Sequence, residues 1–267
     1  MTDHYAVIGN PIAHSKSPLI HAEFAKQCRQ DLHYGRILAP VDGFRDTVAR
    51  LQAEGYKGCN VTVPFKLEAW KLSTSLTRRA EDAESVNTLS FQDGGIYGDN
   101  TDGAGLVRDI GSNLGFSIRG SRILLMGAGG AARGVIRPLH DEGPAEIFIA
   151  NRTVEKAKLL GEKFGIGAGS YEDLSGKSFD IVINATSSSL KEEVPPLPQG
   201  IFAQGSLAYD MMYGKEPTVF LKFAEAAGAK YRADGLGMLV EQAAESFYIW
   251  RGMRPETGSV IAKLRSC

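Results

Sequence analysis

Ile123-Leu124-Leu125-Met126-Gly127-Ala128-Gly129-Gly130-Ala131-Ala132-Arg133 is the stretch that decides the fold. Four apolar residues read as a buried strand, the glycines as a tight turn, and Val135 and Ile136 open a helical pattern behind them. A strand that stops in glycines and restarts as a helix aims backbone N–H groups at one point. With the helix dipole behind them, those groups suit a phosphate anion. The spacing is G-x-G-x-x-A, an accepted form of the dinucleotide fingerprint. Gly127 permits the tight turn and Gly129 lets a pyrophosphate approach. Ala128, Gly130 and Ala131 complete the cradle, and Ala132 keeps helix and strand close. A plain tight turn would use the same glycines, but their place between strand and helix favours the dinucleotide site.

The next strand, 147–150, indicates which dinucleotide. A NAD-binding chain usually ends this strand in Asp or Glu, which binds the ribose 2′-hydroxyl. Here the tip is Asn151-Arg152-Thr153, with Lys156 one helical turn on. No carboxylate is read at this tip. Arg152 offers a planar donor fork and Lys156 a point charge, both suited to a 2′-phosphate. Thr153 is a candidate cap of the following helix. An ordinary basic helix start is the alternative, but cations there oppose the dipole. The reading is NADP rather than NAD.

Composition sets outer limits. A chain of 267 residues allows one large domain or two modest ones. A net charge of −1 gives no general case for nucleic acid. Cys28, Cys59 and Cys267 are widely spaced, without a C-x-x-C pair, so neither a disulfide framework nor a metal site is expected. No signal-peptide pattern or membrane-length apolar run is read, and a cytoplasmic protein without membrane contact is expected.

Strands and helices alternate. Strands are expected at 5–8, 34–38, 58–63, 181–183, 207–209 and 229–231, and a hairpin at 88–91 and 95–97. Helices are expected at 18–27 (Ser17 as N-cap), 44–53, 102–114, 219–226, 238–250 and 255–264. Pro195-Pro196-Leu197-Pro198 reads as a rigid loop. The fold class is therefore α/β with mainly parallel sheets. Residues 1–101 form an N-terminal α/β domain, and 102–237 a Rossmann-type dinucleotide domain. The helices of 238–267 return to the first domain.

Three segments before the fingerprint carry candidate chemistry. Asn60-Val61-Thr62-Val63-Pro64-Phe65-Lys66 is an apolar strand end with interleaved polar residues. Pro64 stops the ladder, so Lys66 falls just past a strand end, where α/β folds bind ligands. A solvated surface lysine is the alternative. In Asp99-Asn100-Thr101-Asp102-Gly103, Asp102 reads either as a helix N-cap or as the partner of Lys66 in acid–base work on a carbonyl. The order of residues excludes an EF-hand. Ser15 and Ser17 sit at a loop-to-helix junction that suits a carboxylate.

Nine segments in order resemble the shikimate dehydrogenase family: GNPIAHSKSP, NVTVPFK, AESVNTL, GDNTDG, GAGGAAR, NRT, NATSSS, YDMMYG and DGLGMLVEQAA. The resemblance implies a substrate domain and a Rossmann domain with the active site in the cleft between them. It implies NADP-dependent reduction of 3-dehydroshikimate to shikimate, with Lys66 and Asp102 as the catalytic pair. It further implies that Ser15, Ser17 and Tyr213 hold the substrate carboxylate, and that Thr62, Asn87 and Gln242 bind ring hydroxyls and the keto group. Gly129, Gly130 and Ala131 would face the pyrophosphate, and Asn151, Arg152 and Thr153 the 2′-phosphate. Thr186, Met211, Gly235 and Met238 would line the nicotinamide end. Gly235-Leu236-Gly237 reads as a hinge or a close approach to that ring.

Two departures stand out. Lys156 replaces a frequent second arginine, keeping charge but losing the fork. Ser189 replaces the glycine that usually ends NATSSG. The rivals are a quinate/shikimate dehydrogenase using NAD, another two-domain NADP oxidoreductase such as a methylenetetrahydrofolate dehydrogenase, and a non-catalytic NADP-binding regulator. Monomer and homodimer are both open.

Overall fold

The structure, a computed structural model, describes residues 2–92, 94–186, 193 and 196–266. Ser189 and Pro195, singled out above, lie outside the described residues, as does Cys267. In chain order the first elements are β1 (Asp3–Gly9), α1 (Ser17–Gln27), β2 (Leu32–Leu38), α2 (Phe44–Ala53), β3 (Gly58–Val61), α3 (Lys66–Leu72), β4 (Ser75–Leu76), α4 (Arg78–Ala83), β5 (Thr88–Gln92), β6 (Gly95–Asp99) and α5 (Asp102–Arg108). There follow β7 (Arg122–Met126), α6 (Gly130–Asp141), β8 (Glu146–Ala150), α7 (Val154–Phe164), β9 (Gly167–Gly169), β10 (Phe179–Asn184) and β11 (Phe202–Asp210). The last are α8 (Val219–Ala226), β12 (Tyr231–Asp234), α9 (Leu236–Arg251) and α10 (Gly258–Arg265). These elements form two compact units, Met1–Gly105 with Val240–Cys267, and Leu106–Leu239.

The first unit is built on a mixed sheet, ordered β2-β1-β3-β5-β6-β4. Strands β2, β1 and β3 run parallel, and the β5–β6 hairpin turns β5 antiparallel to β3. Successive side chains of β1 face opposite ways, as strand geometry requires. Ile8 joins one apolar cluster with Phe44, Val48, Leu51, Val61, Phe65 and Leu89, whereas Tyr5 and Val7 join Ile12 and Tyr34 in another.

The second unit is a six-stranded, wholly parallel sheet ordered β12-β11-β10-β7-β8-β9. Counted from β7, that is the doubly wound 3-2-1-4-5-6 order. Helices cover both faces, so the strands are apolar throughout. Ile123, Leu125, Ile147, Ile149, Ile181 and Ile183 enter one cluster, and Leu124, Met126, Phe148, Ala150 and Val182 enter the other.

Several expectations are corrected. The third strand stops at Val61 rather than residue 63, because Thr62 and Phe65 close a turn through Phe65 N–H to the Thr62 carbonyl. The last strand is Tyr231–Asp234, not 229–231, since Gly228 still turns with φ +96° and pairing with β11 begins at Leu207–Tyr231. The final helix starts at Gly258, three residues later than expected, and the Thr257 hydroxyl at its N-cap position donates to Glu241 instead of capping. The helix expected at 102–114 becomes π-helical over Asp109–Asn113. Asp109 is buried there, accepting from the Tyr209 hydroxyl at 2.6 Å and from Asn113 at 2.9 Å. Ser17 is the first residue of α1 rather than its cap, and the Ser15 hydroxyl accepts from its N–H. The first sheet is mixed rather than parallel. The division between units falls inside α5 and α9, so Asp102 goes with the first unit and Met238 with the second, against the expected edges at 101/102 and 237/238.

His21, in α1, is fully buried and stacks on Tyr34 with centroids 4.1 Å apart. Burial pushes its imidazole down from 6.5 to about 3, opposed in part by Asn60. The unfolded chain therefore takes up a proton below about pH 6.5 that the folded chain refuses until about pH 3. Stability from neutral His21 is complete above that window and declines as pH falls through it. Urea unfolding at about pH 7 and about pH 5 should show an acid-side loss smaller by on the order of 2 kcal/mol in His21→Phe than in wild type. Equal losses would mean that His21 is not a source of acid lability.

Candidate active site

In the first unit the chain turns from one side of β1 to the other between β2 and β3. Ligands gather where strand order reverses in this way, beyond the carboxyl ends of the strands. The carboxyl ends of β1, β3 and β6 and the amino end of β5 share one edge of the sheet, since Asn60 pairs with Thr88 and Thr88 with Asp99. Asn10, Thr62, Lys66, Asn87 and Asp102 follow from those strand ends. Gly9 lacks a side chain because Thr62 Cγ2 lies 2.5 Å from where its Cβ would be.

Lys66 opens α3 directly after Phe65, which is fully buried and stacked on Phe44 at 5.0 Å. That anchor sets where the lysine leaves the backbone. Lys66 Nζ donates to Asp102 Oδ2 at 2.5 Å, with side chains 30% and 13% exposed. An ion pair this shielded is screened less than a surface pair. Asp102 Oδ1 accepts from Asn87 Nδ2 at 2.8 Å, and Gln242 Oε1 is 3.3 Å from the same nitrogen. Asp102 is therefore not a capping side chain. The side chain that accepts its N–H is Asn100, at 3.1 Å. Asp99 anchors the start of this loop with a two-pronged contact to Arg79 at 2.6 and 2.7 Å. The arrangement is a proton donor held against a carboxylate at a ligand-binding sheet edge, which suits acid–base chemistry at an oxygen.

Ser15 and Ser17 meet through their hydroxyls at 3.2 Å, and Arg36 grips the Ser15 carbonyl with two N–H groups at 3.0 and 2.6 Å. Ser15 is half-buried and Ser17 is buried.

In the second unit the order reverses between β7 and β10. Gly127 ends β7 with φ +105°, and its N–H donates to the Ala150 carbonyl of β8 at 2.8 Å. A Cβ there would stand 3.0 Å from Thr186 Cγ2, so Thr186 borders the glycine turn. Thr186 donates to Asn184 Oδ1 at 2.7 Å, and Asn184 donates to the fully buried Asp210 at 3.2 Å. Asp210 also accepts from the N–H of Met212, which fixes the turn carrying Met211 and Tyr213. Gly129, Gly130 and Ala131 are exposed, and a Cβ on either glycine meets nothing within 4 Å. The fold does not need those glycines for its own packing; the space in front of the first N–H groups of α6 is open to an anion. A pyrophosphate fits this cradle.

Arg152, Thr153 and Lys156 are exposed at the start of α7, and half-buried Asn151 donates to the Thr153 carbonyl. Two corrections apply here. Thr153 occupies the N-cap position but makes no side-chain cap bond, and the exposed Glu155 stands in the first turn, so the tip is not free of carboxylate. Tyr213 is half-buried, and burial together with Asp234 raises its phenol above the usual range. Met238 is buried in the second unit's core, with Met211 packed against that core. A Cβ at Gly235 would lie 2.2 Å from the Met211 carbonyl oxygen, and one at Gly237 would lie 2.0 Å from the Asp109 carboxylate. The close approach seen at these glycines is to protein atoms.

Three family models match in succession: the shikimate dehydrogenase substrate-binding domain over residues 7–89, shikimate/quinate 5-dehydrogenase over 109–192, and the shikimate 5′-dehydrogenase C-terminal domain over 235–265. A shikimate dehydrogenase (NADP(+)) of Nitrosospira multiformis is 63% identical, covering 100% of this chain and 98% of its own. The chain belongs to the shikimate dehydrogenase family. Among solved structures, an Ael1 enzyme from Pseudomonas putida is 49% identical with a TM-score of 0.95, covering 98% of both chains. Shikimate 5-dehydrogenase from Thermus thermophilus, in complex with NADP(H) and shikimate, is 29% identical with a TM-score of 0.89, covering 99% of both chains.

Within this shikimate dehydrogenase family member, Asn60, Thr88, Thr101 and Ser246 are site-supporting residues that the motif reading passed over. Their signal was polar side chains placed where a buried strand or helix face should be apolar. Gly235→Ala, which drives a methyl group into the Met211 carbonyl, should lower unfolding free energy by about 2 kcal/mol or more. Chemical denaturation monitored by circular dichroism checks this, and an unchanged midpoint would refute the packing account.

Proposed function

We propose that this chain catalyses the reversible NADP-linked reduction of 3-dehydroshikimate to shikimate, a step of aromatic amino-acid biosynthesis. The observation that carries the reading is the Lys66–Asp102 contact of 2.5 Å at the sheet edge, in a chain of this family. Bound NADPH supplies a hydride to the carbonyl carbon. Lys66 gives a proton to the carbonyl oxygen, and Asp102 holds the ammonium in place and stabilises its charge. In the reverse direction the amine takes the hydroxyl proton. Ser15, Ser17 and Tyr213 hold the carboxylate, while Thr62, Asn87 and Gln242 bind the ring oxygens. Gly127, Ala128, Gly129, Gly130 and Ala131 cradle the pyrophosphate. Asn151, Arg152, Thr153 and Lys156 meet the 2′-phosphate, and Thr186, Met211, Gly235 and Met238 border the nicotinamide.

Among the described residues no helix is long and apolar enough to cross a membrane, and no group of three or more His, Cys, Asp or Glu could hold a metal ion. Cys28 and Cys59 are free thiols, in keeping with a cytoplasmic enzyme. The enzyme works as a monomer or homodimer.

Lys66→Ala should lower turnover by about 10²–10⁴-fold in a folded protein. Unchanged turnover would remove Lys66 from the chemistry. Arg152→Ala should raise the KM for NADP by roughly tenfold, the loss of one charge-assisted contact, and leave NAD use little affected. An unaltered ratio of NADP to NAD use would remove the 2′-phosphate assignment.

A further inference from the structure

Behind the Lys66–Asp102 pair runs a buried line of polar side chains; it begins at Tyr34, whose hydroxyl also meets the Ser17 side chain, and ends on the pair. Tyr34, on β2, donates its hydroxyl to Asn60 Oδ1 at 2.7 Å. Asn60, on β3, donates through Nδ2 to the Thr88 hydroxyl at 3.1 Å. Thr88, on β5, donates to Asn87 Oδ1 at 2.9 Å. Asn87 donates through Nδ2 to Asp102 Oδ1 at 2.8 Å, and Lys66 closes the line on Oδ2. Every donor from Tyr34 onward points the same way, towards the carboxylate.

This direction is chemically enforced. Asn87 is 3% exposed, and its two amide ends differ in what surrounds them. Its oxygen receives the Thr88 hydroxyl and the backbone N–H of Thr101 at 2.9 Å each. A flipped amide would set its N–H₂ against that N–H donor and its oxygen against the carboxylate. Asn60 is held likewise, because its Nδ2 donates to the Asn87 backbone carbonyl at 3.1 Å, and a carbonyl can only accept. Burial keeps the Tyr34 phenol protonated, and hence a donor, well above the usual range. The stacked His21 ring beside it is neutral near pH 7, for the reason given above. Ser246, on α9, braces the middle: its hydroxyl lies 2.8 Å from that of Thr88 and accepts from Asn60 at 3.0 Å. Hydrogen bonds chained in one direction strengthen one another, and the last bond, on an ionised acceptor, is the strongest kind.

We propose that Thr88 and Asn60 are positioning residues of the enzyme, and that the line from Tyr34 through them locks the Asn87 amide so that Asp102 presents its other oxygen to Lys66. The inference rests on the reading of Lys66 and Asp102 as the catalytic pair. Neither Thr88 nor Asn60 is given a place against substrate or cofactor; both act through Asn87.

The test compares Thr88→Val, which keeps shape and deletes the hydroxyl, with Thr88→Ser, which keeps the hydroxyl, and with Tyr34→Phe and Lys66→Ala. Shikimate oxidation is followed with each of shikimate and NADP varied while the other is saturating, and kcat and both KM values are measured on proteins shown to be folded. Loss of one buried hydrogen bond at a charged group predicts a kcat fall of roughly tenfold or more in Thr88→Val. The KM for NADP should be unchanged, and Thr88→Ser should stay within about threefold of wild type. Tyr34→Phe should lower kcat severalfold with the KM for NADP unchanged, a rise in the KM for shikimate being the separate mark of its contact with Ser17, and its kcat decides alone if Thr88→Val does not fold. Wild-type kcat in folded Thr88→Val, or equal impairment in Thr88→Ser, overturns the proposal, as does wild-type kcat in Tyr34→Phe when that variant decides. If Lys66→Ala itself keeps full turnover, the reading of the catalytic pair fails instead, and the two failures are thereby told apart.

Discussion

A carboxylate withdrawn from water must be compensated, and much of the first unit's sheet edge is organised around that requirement. Asp102 is 9% exposed, and each of its oxygens has a partner: Lys66 on Oδ2 and Asn87 on Oδ1. Removing Lys66 would leave the carboxylate charge uncompensated, and removing Asn87 would leave its Oδ1 without a donor; either costs more than a surface contact carries. The strand order supplies the partners. Antiparallel β5 starts where β3 and β6 end, so Asn87 arrives beside residues that follow both. Phe65 in the core then fixes the point from which Lys66 reaches in.

The second unit applies the same topological device to a different task. Its strand order also reverses beside a central strand, and there the chain supplies backbone N–H groups and glycines in place of a charged pair. Gly127 is required by its own φ, whereas Gly129 and Gly130 leave open space. That contrast separates a glycine that serves the fold from glycines that serve a ligand. Asp210, with no exposed surface, then ties Asn184, Thr186 and the Met212 turn into one rigid rim.

Much of this was legible in the chain, and the failures have physical causes. Apolar runs located β7, β8, β10 and β11 of the second unit, since both faces of that sheet are covered, whereas β12 was misplaced and the three-residue β9 was not anticipated. Helices 44–53 and 219–226 appeared with their observed limits, because their apolar periodicity is clean. The short α3 and α4 were not anticipated: with 7 and 6 residues they are too short to display a period and depend on tertiary packing. Cap positions misled at Ser17, Asp102 and Thr153, because a hydroxyl or carboxylate near a helix start has several possible partners and tertiary contacts choose among them. The pairing of Lys66 with Asp102 is readable from the two segments as one alternative, beside a solvated lysine and a capping aspartate, and the family resemblance favours it. Of the Tyr34–Asn60–Thr88–Asn87 line only isolated polar residues at buried strand positions were legible; its members sit on three strands and the turn that enters the third, and only register aligns them.

The most direct measurement is NADPH formation from shikimate and NADP by wild type beside Asp102→Asn, which preserves the side-chain shape and removes the charge. The account predicts turnover in the wild type and a loss of roughly 10²-fold or more in the folded variant, because an amide cannot hold and stabilise the Lys66 ammonium as a carboxylate does. Wild-type turnover in folded Asp102→Asn would contradict it.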